Sequence, residues 1–178
     1  MKHILIHGRR GAGKSTMIEK LVSELDVPIY GFYTRTVQTN DAGYHQIYMY
    51  PAGRVKRHTS EDNHVGDCNT RERTVNLQVF DTLGVECLQA QPGGILVMDE
   101  IGFMEQDSEL FCKAVLRALD GDIPVLAGVK AGVDVPFLRK VMGHPKVEVY
   151  ELNPDKRQEI YEQILPQVRA WNEALRGC

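Results

Sequence analysis

Short apolar runs alternate along this chain with longer segments whose apolar residues recur every three or four positions. The first run, Ile4-Leu5-Ile6, stops at a glycine-rich stretch. The segment after that stretch carries apolar residues at helical spacing, namely Met17, Ile18, Leu21, Val22 and Leu25. A buried strand, a glycine loop and a helix, in that order, predict the first half of a βα unit.

The second half of the chain continues this alternation. Three apolar runs predict further buried strands, at 95–98, 124–129 and 147–150. Three segments with helical spacing lie between and after them, at 110–119, at 135–142 and from 153 onward. Strands that alternate with helices predict an α/β fold, with a mostly parallel sheet flanked by helices on both faces. Ligands in such folds bind at the carboxyl edge of the strands.

The last predicted helix begins at Asn153-Pro154, which suits an N-cap followed by proline at the first helical position. Its apolar stripe consists of Ile160, Ile164, Val168, Trp171 and Leu175. Because such stripes usually face inward, we expect this helix to dock on the core. A partner-binding helix is the alternative.

Residues 29–80 depart from the alternation and predict a β-rich insertion. Alternating positions within 30–36 and 47–50, separated by turn clusters at 40–43 and 51–53, predict an inserted β-hairpin or meander. The remainder predicts a mobile loop over 58–73, a strand over 74–80 and a helix over 83–88. We expect the chain, 1–178, to form a single domain with this insertion inside it.

Composition narrows the class of protein without changing this picture. The 178 residues are 43% hydrophobic, and the formal net charge of −3 gives no global attraction to nucleic acid or an anionic membrane. No apolar run approaches the roughly 20 residues that span a bilayer, and the first strand is too short for a signal peptide. We therefore expect a cytoplasmic protein with no nucleic-acid or membrane partner, while a protein partner stays possible.

The glycine-rich stretch fits the pattern G-x-x-x-x-G-K-[ST], with Gly8, Gly13, Lys14 and Ser15 at its fixed positions. Glycines let main-chain amides approach phosphates, and these amides with the helix N-terminus form an anion cradle. The lysine serves the β- and γ-phosphates, and the serine hydroxyl can ligate Mg²⁺. The sequence thus predicts a site for a nucleoside triphosphate with magnesium, formed by Gly8, Arg9, Arg10, Gly11, Ala12, Gly13, Lys14, Ser15 and Thr16.

Two acidic residues, Asp99 and Glu100, follow the apolar run at 95–98. A carboxylate beside a phosphate loop holds magnesium directly or through water, which is the role we predict for Asp99 with Ser15. Glu100 is the predicted general base for the attacking water, and Lys14 and Glu100 are the predicted catalytic residues. Glu105 could reach the same edge or be a surface acid before a helix. The D-x-x-G match at 99–102 lacks the later N-K-x-D of GTPases, so guanine specificity has no support.

These motifs resemble those of the small P-loop nucleoside-triphosphatases of the THEP type. The resemblance covers nearly the whole chain and depends on the phosphate loop, on Gly31-Phe32-Tyr33-Thr34 and on 99–105, which reads Asp-Glu-Ile-Gly-Phe-Met-Glu. The last two motifs are more distinctive than the loop, because P-loop proteins in general lack them. The resemblance implies a RecA-like sheet and slow, magnesium-dependent hydrolysis of several nucleoside triphosphates, ATP and GTP among them.

The chain departs from the family pattern at two motifs. Phe103 stands where D-E-I-G-K-M-E has lysine, so we expect any cationic role of that position to be missing. The usual N-R-D near the last helix is Lys156-Arg157-Gln158, which retains the arginine. Arg157 is predicted to border the nucleotide base, with a surface position on the helix as the alternative.

Three functions remain open from the sequence alone. The first is a hydrolase in which Glu100 polarises water; the second is a P-loop kinase of a nucleotide or small molecule, with the 58–73 loop as a lid; the third is a nucleotide-dependent switch or assembly factor. Phosphoryl transfer also favours an arginine near the phosphates. The cationic candidates in the sequence are Arg9, Arg10, Arg54, Lys56, Arg57, Arg71 and Arg73.

Overall fold

A computed structural model describes residues 2–39, 43–53, 58–69 and 71–176, and its centre is an eight-stranded β-sheet. The strands are β1 (His3–Gly8), β2 (Ile29–Thr39), β3 (His45–Pro51), β4 (His64–Cys68), β5 (Arg73–Val75), β6 (Ile95–Ile101), β7 (Val125–Lys130) and β8 (Val147–Glu151). The order across the sheet is β5-β4-β3-β2-β6-β7-β1-β8. Strands β2, β6, β7, β1 and β8 pair in parallel, which confirms the predicted mostly parallel α/β sheet.

Helices cover both faces of the parallel strands. They are α1 (Lys14–Val22), α2 (Leu77–Val79), α3 (Val85–Cys87), α4 (Glu109–Asp120), α5 (Pro136–Met142) and α6 (Arg157–Arg176). A π-helical segment, Phe80–Gly84, joins α2 to α3, and short 3₁₀ turns span Glu61–Asn63 and Pro154–Lys156. Each predicted helix of the second half is therefore present, with bounds that shift by only a few residues.

Alternate residues of each parallel strand contribute to two separate hydrophobic cores. On β1, Ile4 and Ile6 face the core under α1 and α6, whereas Leu5 faces the core under α4 and α5. On β6, Val97 and Met98 divide in the same way. Both faces are buried, as expected for a parallel sheet, and this burial explains why these strands read as continuous apolar runs.

The stripe of α6 packs inward, as predicted. Ile160, Ile164, Val168 and Trp171 are buried in the core under α1 and α6, and Leu175 packs against it. Fully burying a large apolar side chain contributes about 1.5–3 kcal/mol, so this stripe is committed to the core rather than to a partner. Asn153 precedes the Pro154–Lys156 turn without a side-chain capping bond, so the predicted cap contributes only its backbone.

The predicted insertion is a meander rather than a hairpin, and it continues the main sheet. The first half of β2 pairs in parallel with β6, and its second half pairs antiparallel with β3. Strands β4 and β5 then extend the antiparallel part. The mobile loop predicted over 58–73 is therefore wrong, because this segment contains β4 and the start of β5. Val65 explains the ordering, since it is an apolar anchor 1% exposed within that polar stretch.

The strand predicted over 74–80 is also wrong in most of its length. β5 ends at Val75, and helical backbone begins at Leu77. Val79 and Phe80 supply the apolar character that favoured a strand, but they are buried in the core from a helical segment. The helix predicted over 83–88 is present as the end of that segment and α3.

Within the described ranges, no helix combines the length and apolar character required to cross a membrane.

Candidate active site

The glycine-rich loop connects the carboxyl end of β1 to the first turn of α1, as the motif predicts. A cavity of about 680 Å³ opens beside it and is lined by loop residues, by β2 and by the start of α6. Arg10, Gly11, Gly13, Lys14, Ser15 and Thr16 line this cavity. A nucleotide-sized space therefore lies at the carboxyl edge of the parallel strands, where α/β folds bind ligands.

Lys14 joins the loop to β6, which lies two strands away from β1 in the sheet. Its Nζ atom donates hydrogen bonds to the carbonyl oxygens of Gly8 at 2.7 Å and Arg9 at 3.1 Å. The same atom forms an ion pair with Glu100 Oε2 at 2.8 Å. Lys14 is 5% exposed, so its charge needs close partners: an uncompensated buried charge costs several kcal/mol. The two predicted catalytic side chains are thus in direct contact.

Gly13 and Arg157 fix the turn into α1. Gly13 has φ of 102°, a left-handed conformation that glycine adopts readily, and a Cβ atom there would lie 2.8 Å from Arg157 Nε. Arg157 donates from Nε to the Ala12 carbonyl at 2.7 Å and from Nη2 to the Gly11 carbonyl at 3.2 Å. The residue we placed near the base therefore holds the outer side of the loop, and it also lines the cavity.

Asp99 lies at the carboxyl end of β6 and is fully buried. Ser15 Oγ donates to its Oδ1 atom at 3.1 Å, so the two predicted metal ligands are adjacent. Burial raises the pKa of the Asp99 carboxyl, and Arg35 and Ser15 oppose this rise by stabilising the charged form. Thr34 holds the backbone beside it, because its hydroxyl donates to the Asp99 carbonyl and accepts from the Glu100 amide.

Arg35 is a site residue that the sequence analysis missed. It extends from β2, donates from Nη1 to Asp99 Oδ2 at 2.8 Å, and donates from Nη2 to Glu19 Oε1 at 2.9 Å. The available signal was its place directly after Gly31-Phe32-Tyr33-Thr34. That signal becomes readable only once β2 is known to lie beside β6, with Tyr33 opposite Asp99.

Glu105 is buried rather than a surface acid. It is 3% exposed, and its Oε1 atom accepts the Gly102 amide at 2.6 Å, which stabilises the turn after β6. Burial raises the pKa of Glu105 to about 7, and the Gly102 hydrogen bond opposes this rise. Glu105 and Glu100 both line a small pocket of about 80 Å³ beside the main cavity.

The arginines and the lysine named from the sequence as cationic candidates differ in their position relative to the cavity. Arg10 lines the cavity, whereas Arg9 is exposed and contributes its carbonyl to Lys14. The guanidinium carbon of Arg73 lies 4.7 Å from the centre of the Phe103 ring. Arg71 is exposed, and its amide bonds to Asn69. The remaining three candidates, Arg54, Lys56 and Arg57, lie outside the described residues.

Comparison with known proteins independently tests which protein family has this fold and site. The NTPase family model matches residues 3–165. The chain belongs to this family. It is 32% identical to nucleoside-triphosphatase THEP1 of Thermotoga maritima over 166 residues, which cover 91% of this chain and 92% of that protein. It is 26% identical to the human cancer-related nucleoside-triphosphatase, with 95% of this chain and 97% of that protein covered.

Two solved structures are similar to this NTPase over nearly its whole length. The crystal structure of THEP1 from Aquifex aeolicus superposes with a TM-score of 0.73 at 25% identity, covering 93% of this chain and 98% of that one. The solution structure of the human cancer-related nucleoside triphosphatase gives a TM-score of 0.67 at 24% identity, covering 96% and 98%. The P-loop NTPase fold and the THEP-type resemblance are thereby confirmed.

Phe103, the departure from the family motif, is flanked by two cations. Lys130 Nζ, at the end of β7, lies 4.5 Å from the ring centre, and Arg73 approaches the same ring from β5. Lys130 also lines the main cavity together with Glu100. The expectation for position 103 itself stays a prediction, and the structure adds that Lys130, from the neighbouring strand β7, places a cation over the aromatic ring.

We predict that Glu105→Gln changes how the stability of this NTPase depends on pH. With a folded pKa of about 7 against an ordinary value of 4.5, Glu105 binds more protons in the native state. Its contribution to stability is therefore lost as pH rises through that window. Glutamine keeps the acceptor for Gly102 and cannot ionise. The free energy of unfolding of the variant, relative to wild type, should rise by about 1–3 kcal/mol between pH 5 and pH 8.

Denaturant unfolding at a series of pH values measures this difference. Glu173→Gln, on an exposed position of α6, is the matched control and should show a constant difference from wild type. A Glu105→Gln difference that stays flat from pH 5 to pH 8 would mean that Glu105 titrates at its ordinary pKa.

Proposed function

We propose that this NTPase hydrolyses nucleoside triphosphates to the diphosphate and phosphate, with Mg²⁺, at the loop formed by residues 8–15. The observation that carries the proposal is the 2.8 Å contact between Lys14 and Glu100 at the N-terminus of α1. A cation for the phosphates and a carboxylate for water lie side by side, and Ser15 and Asp99 form an oxygen pair next to them. Membership of the NTPase family supports the same activity.

Phosphate binding is expected to change the partner of Lys14. Main-chain amides of the loop and the N-terminus of α1 attract the phosphates, whose negative charge can replace Glu100 at the ammonium. Because Lys14 is nearly fully buried, it exchanges one anion for another rather than losing its partner. This exchange releases Glu100 at the moment when the γ-phosphate is in place.

The residues Ser15 and Asp99 suit magnesium in their chemistry. Both supply hard oxygen ligands, and their oxygens are 3.1 Å apart. When bound, the ion neutralises charge on the β- and γ-phosphates. Ser15 would hold it from the start of α1 and Asp99 from the end of β6, so the metal site would span the same two elements as the Lys14–Glu100 pair.

Glu100 then acts as the general base. Its side chain is 31% exposed, which leaves a path for water from the cavity. The water oxygen forms a bond to the γ-phosphorus while Glu100 accepts the proton, and the bond from the γ-phosphorus to the bridging oxygen breaks. Lys14 stabilises the charge that develops on the phosphate oxygens.

Membership of the family does not by itself establish the preferred nucleotide base, the turnover rate or the cellular location. We infer broad base specificity and slow turnover, as the THEP-type resemblance implies. Arg157, Gln158 and Tyr161 line the side of the cavity next to α1, which is where a base would lie once phosphates occupy the loop. A cytoplasmic location and the lack of nucleic-acid and membrane partners stay predictions from the sequence.

The kinase alternative required residues 58–73 to act as a mobile lid. The segment that we assigned to a closing loop, 58–73, contains β4, which pairs with β3 in the sheet, and the first residue of β5, which pairs with β4. A segment tied into the sheet cannot close over an acceptor as a free loop. A switch function remains compatible with slow hydrolysis and stays a prediction.

We predict that Lys14→Ala lowers the affinity for a non-hydrolysable ATP analogue with Mg²⁺ at least 100-fold, because two or more charge-assisted hydrogen bonds to phosphate are lost. Isothermal titration calorimetry gives the affinity, and circular dichroism checks that the fold persists. Lys113→Ala is the matched control, since Lys113 is an exposed partner of Glu109 on α4. Binding by Lys14→Ala within threefold of wild type would exclude the loop as the phosphate site.

We predict that Glu100→Gln binds the same analogue nearly as tightly as wild type and hydrolyses ATP at least tenfold more slowly. Glutamine preserves the size of the side chain but cannot take a proton from water. Phosphate release without any acceptor measures the rate, with the exposed residue change Glu109→Gln as control. Unchanged turnover would remove Glu100 from the role of base, and release that requires an added acceptor would favour the kinase.

A further inference from the structure

Arg35 lines the cavity but has no role in the reaction proposed above. It donates to Asp99 Oδ2, to the Thr34 carbonyl at 2.8 Å and to Glu19 Oε1. Its side chain is 23% exposed and lines the cavity beside the phosphate loop. Three acceptors thus fix a guanidinium, which is always charged, at the edge of the proposed site.

The two oxygens of Asp99 have different partners. Oδ1 accepts from Ser15 and Oδ2 accepts from Arg35. Because Asp99 is fully buried, its negative charge requires a nearby positive charge, and Arg35 supplies it. A magnesium ion held by Ser15 would draw on the same carboxylate from the Oδ1 side.

We propose that Arg35 competes with Mg²⁺ for Asp99 and so sets how much magnesium the nucleotide site requires. This inference rests on the proposed function. A guanidinium and a divalent cation on opposite oxygens of one carboxylate repel each other, most strongly where the surroundings are buried. Arg35 is therefore a positioning residue that acts through Asp99, and metal binding loosens its contact with that carboxylate.

The contacts of Arg35 provide an alternative partner for the exchange. Glu19 is 55% exposed and lies on α1, one helical turn after Ser15, so it can retain the guanidinium when Asp99 turns to the metal. The Thr34 carbonyl remains available on the same strand. Arg35 thus links β2 to α1 through Glu19. When a metal ion weakens the contact with Asp99, the guanidinium still has this carboxylate as a partner.

The test uses Arg35→Gln, which removes the charge, and Arg35→Lys, which keeps it. Arg169→Gln is the matched control, because Arg169 forms a 2.9 Å ion pair with Glu24 and is 59% exposed. Mn²⁺ replaces Mg²⁺ as the probe, and electron paramagnetic resonance measures free Mn²⁺ at saturating ADP, pH 8.5 and low salt. We predict a half-saturating Mn²⁺ concentration at least threefold lower for Arg35→Gln, and within twofold of wild type for Arg35→Lys and Arg169→Gln.

Thermal unfolding with EDTA gives a second readout. Arg35→Gln should melt below wild type there, because Asp99 loses its counter-charge, and Mn²⁺ with ADP should narrow the gap. An Arg35→Gln variant that binds Mn²⁺ no more tightly than wild type overturns the competition, as does an equal gain in Arg35→Lys. A wild-type chain that binds no Mn²⁺ with ADP would instead count against the proposed function.

A further variant keeps the inference testable if Arg35→Gln does not fold. Glu19→Gln alters an exposed side chain and leaves Arg35 with Asp99 as its carboxylate partner in the described contacts. The half-saturating Mn²⁺ concentration should then rise at least twofold, and Glu24→Gln, which removes the same charge from the Arg169 pair, should change it less. An unchanged value for Glu19→Gln would overturn the competition.

Discussion

The ion pair between Lys14 and Glu100 is the contact on which the organisation of this site depends. It joins the start of α1 to the end of β6, two elements that the parallel sheet brings to one edge. The Lys14 ammonium is buried and also bonded to two loop carbonyls, so it closes the loop on itself. In the reaction that we propose, a triphosphate takes over this cation and thereby frees the carboxylate that acts as base.

A second carboxylate and cation lie next to the first pair and follow the same principle. Asp99 is fully buried and is compensated by Arg35 from β2, while Ser15 approaches its other oxygen. Asp99 and Glu100 are therefore each held by a cation of the protein. If a phosphate replaces Glu100 at Lys14 and a metal ion replaces Arg35 at Asp99, binding reorganises charge across α1, β2 and β6 at little electrostatic cost. Such exchange would also give a physical reason for the slow turnover that we propose, since two ion pairs would rearrange in each cycle.

The local patterns of the sequence predict the part of the site that lies on continuous motifs. The phosphate loop, the acidic end of β6 and the inward stripe of α6 each depend on residues near one another in the chain. These features could be predicted because spacing alone places a glycine turn at a helix start, or an apolar stripe on one helix face. The alternation of strands and helices predicted the α/β sheet, and the family resemblance, since confirmed, specified the P-loop NTPase fold.

The contacts that the sequence did not predict join distant segments. Arg35 meets Asp99 only because Tyr33 pairs opposite Asp99 in the sheet, and Arg157 braces the loop from the far end of the chain. Lys130 reaches Phe103 for a similar reason, across neighbouring strands. Val65 shows the converse error: this residue and Asn63 are buried within a polar segment that lacks any visible periodicity.

A crystal structure with Mg²⁺ and a non-hydrolysable ATP analogue tests the exchange at Lys14 most directly. We predict that the β- and γ-phosphates lie against the amides of residues 8–15, with Lys14 Nζ about 3 Å from a phosphate oxygen and no longer bonded to Glu100. Phosphates bound elsewhere, or a Lys14–Glu100 pair that persists beside a fully occupied nucleotide, would contradict the role we assign to this ion pair.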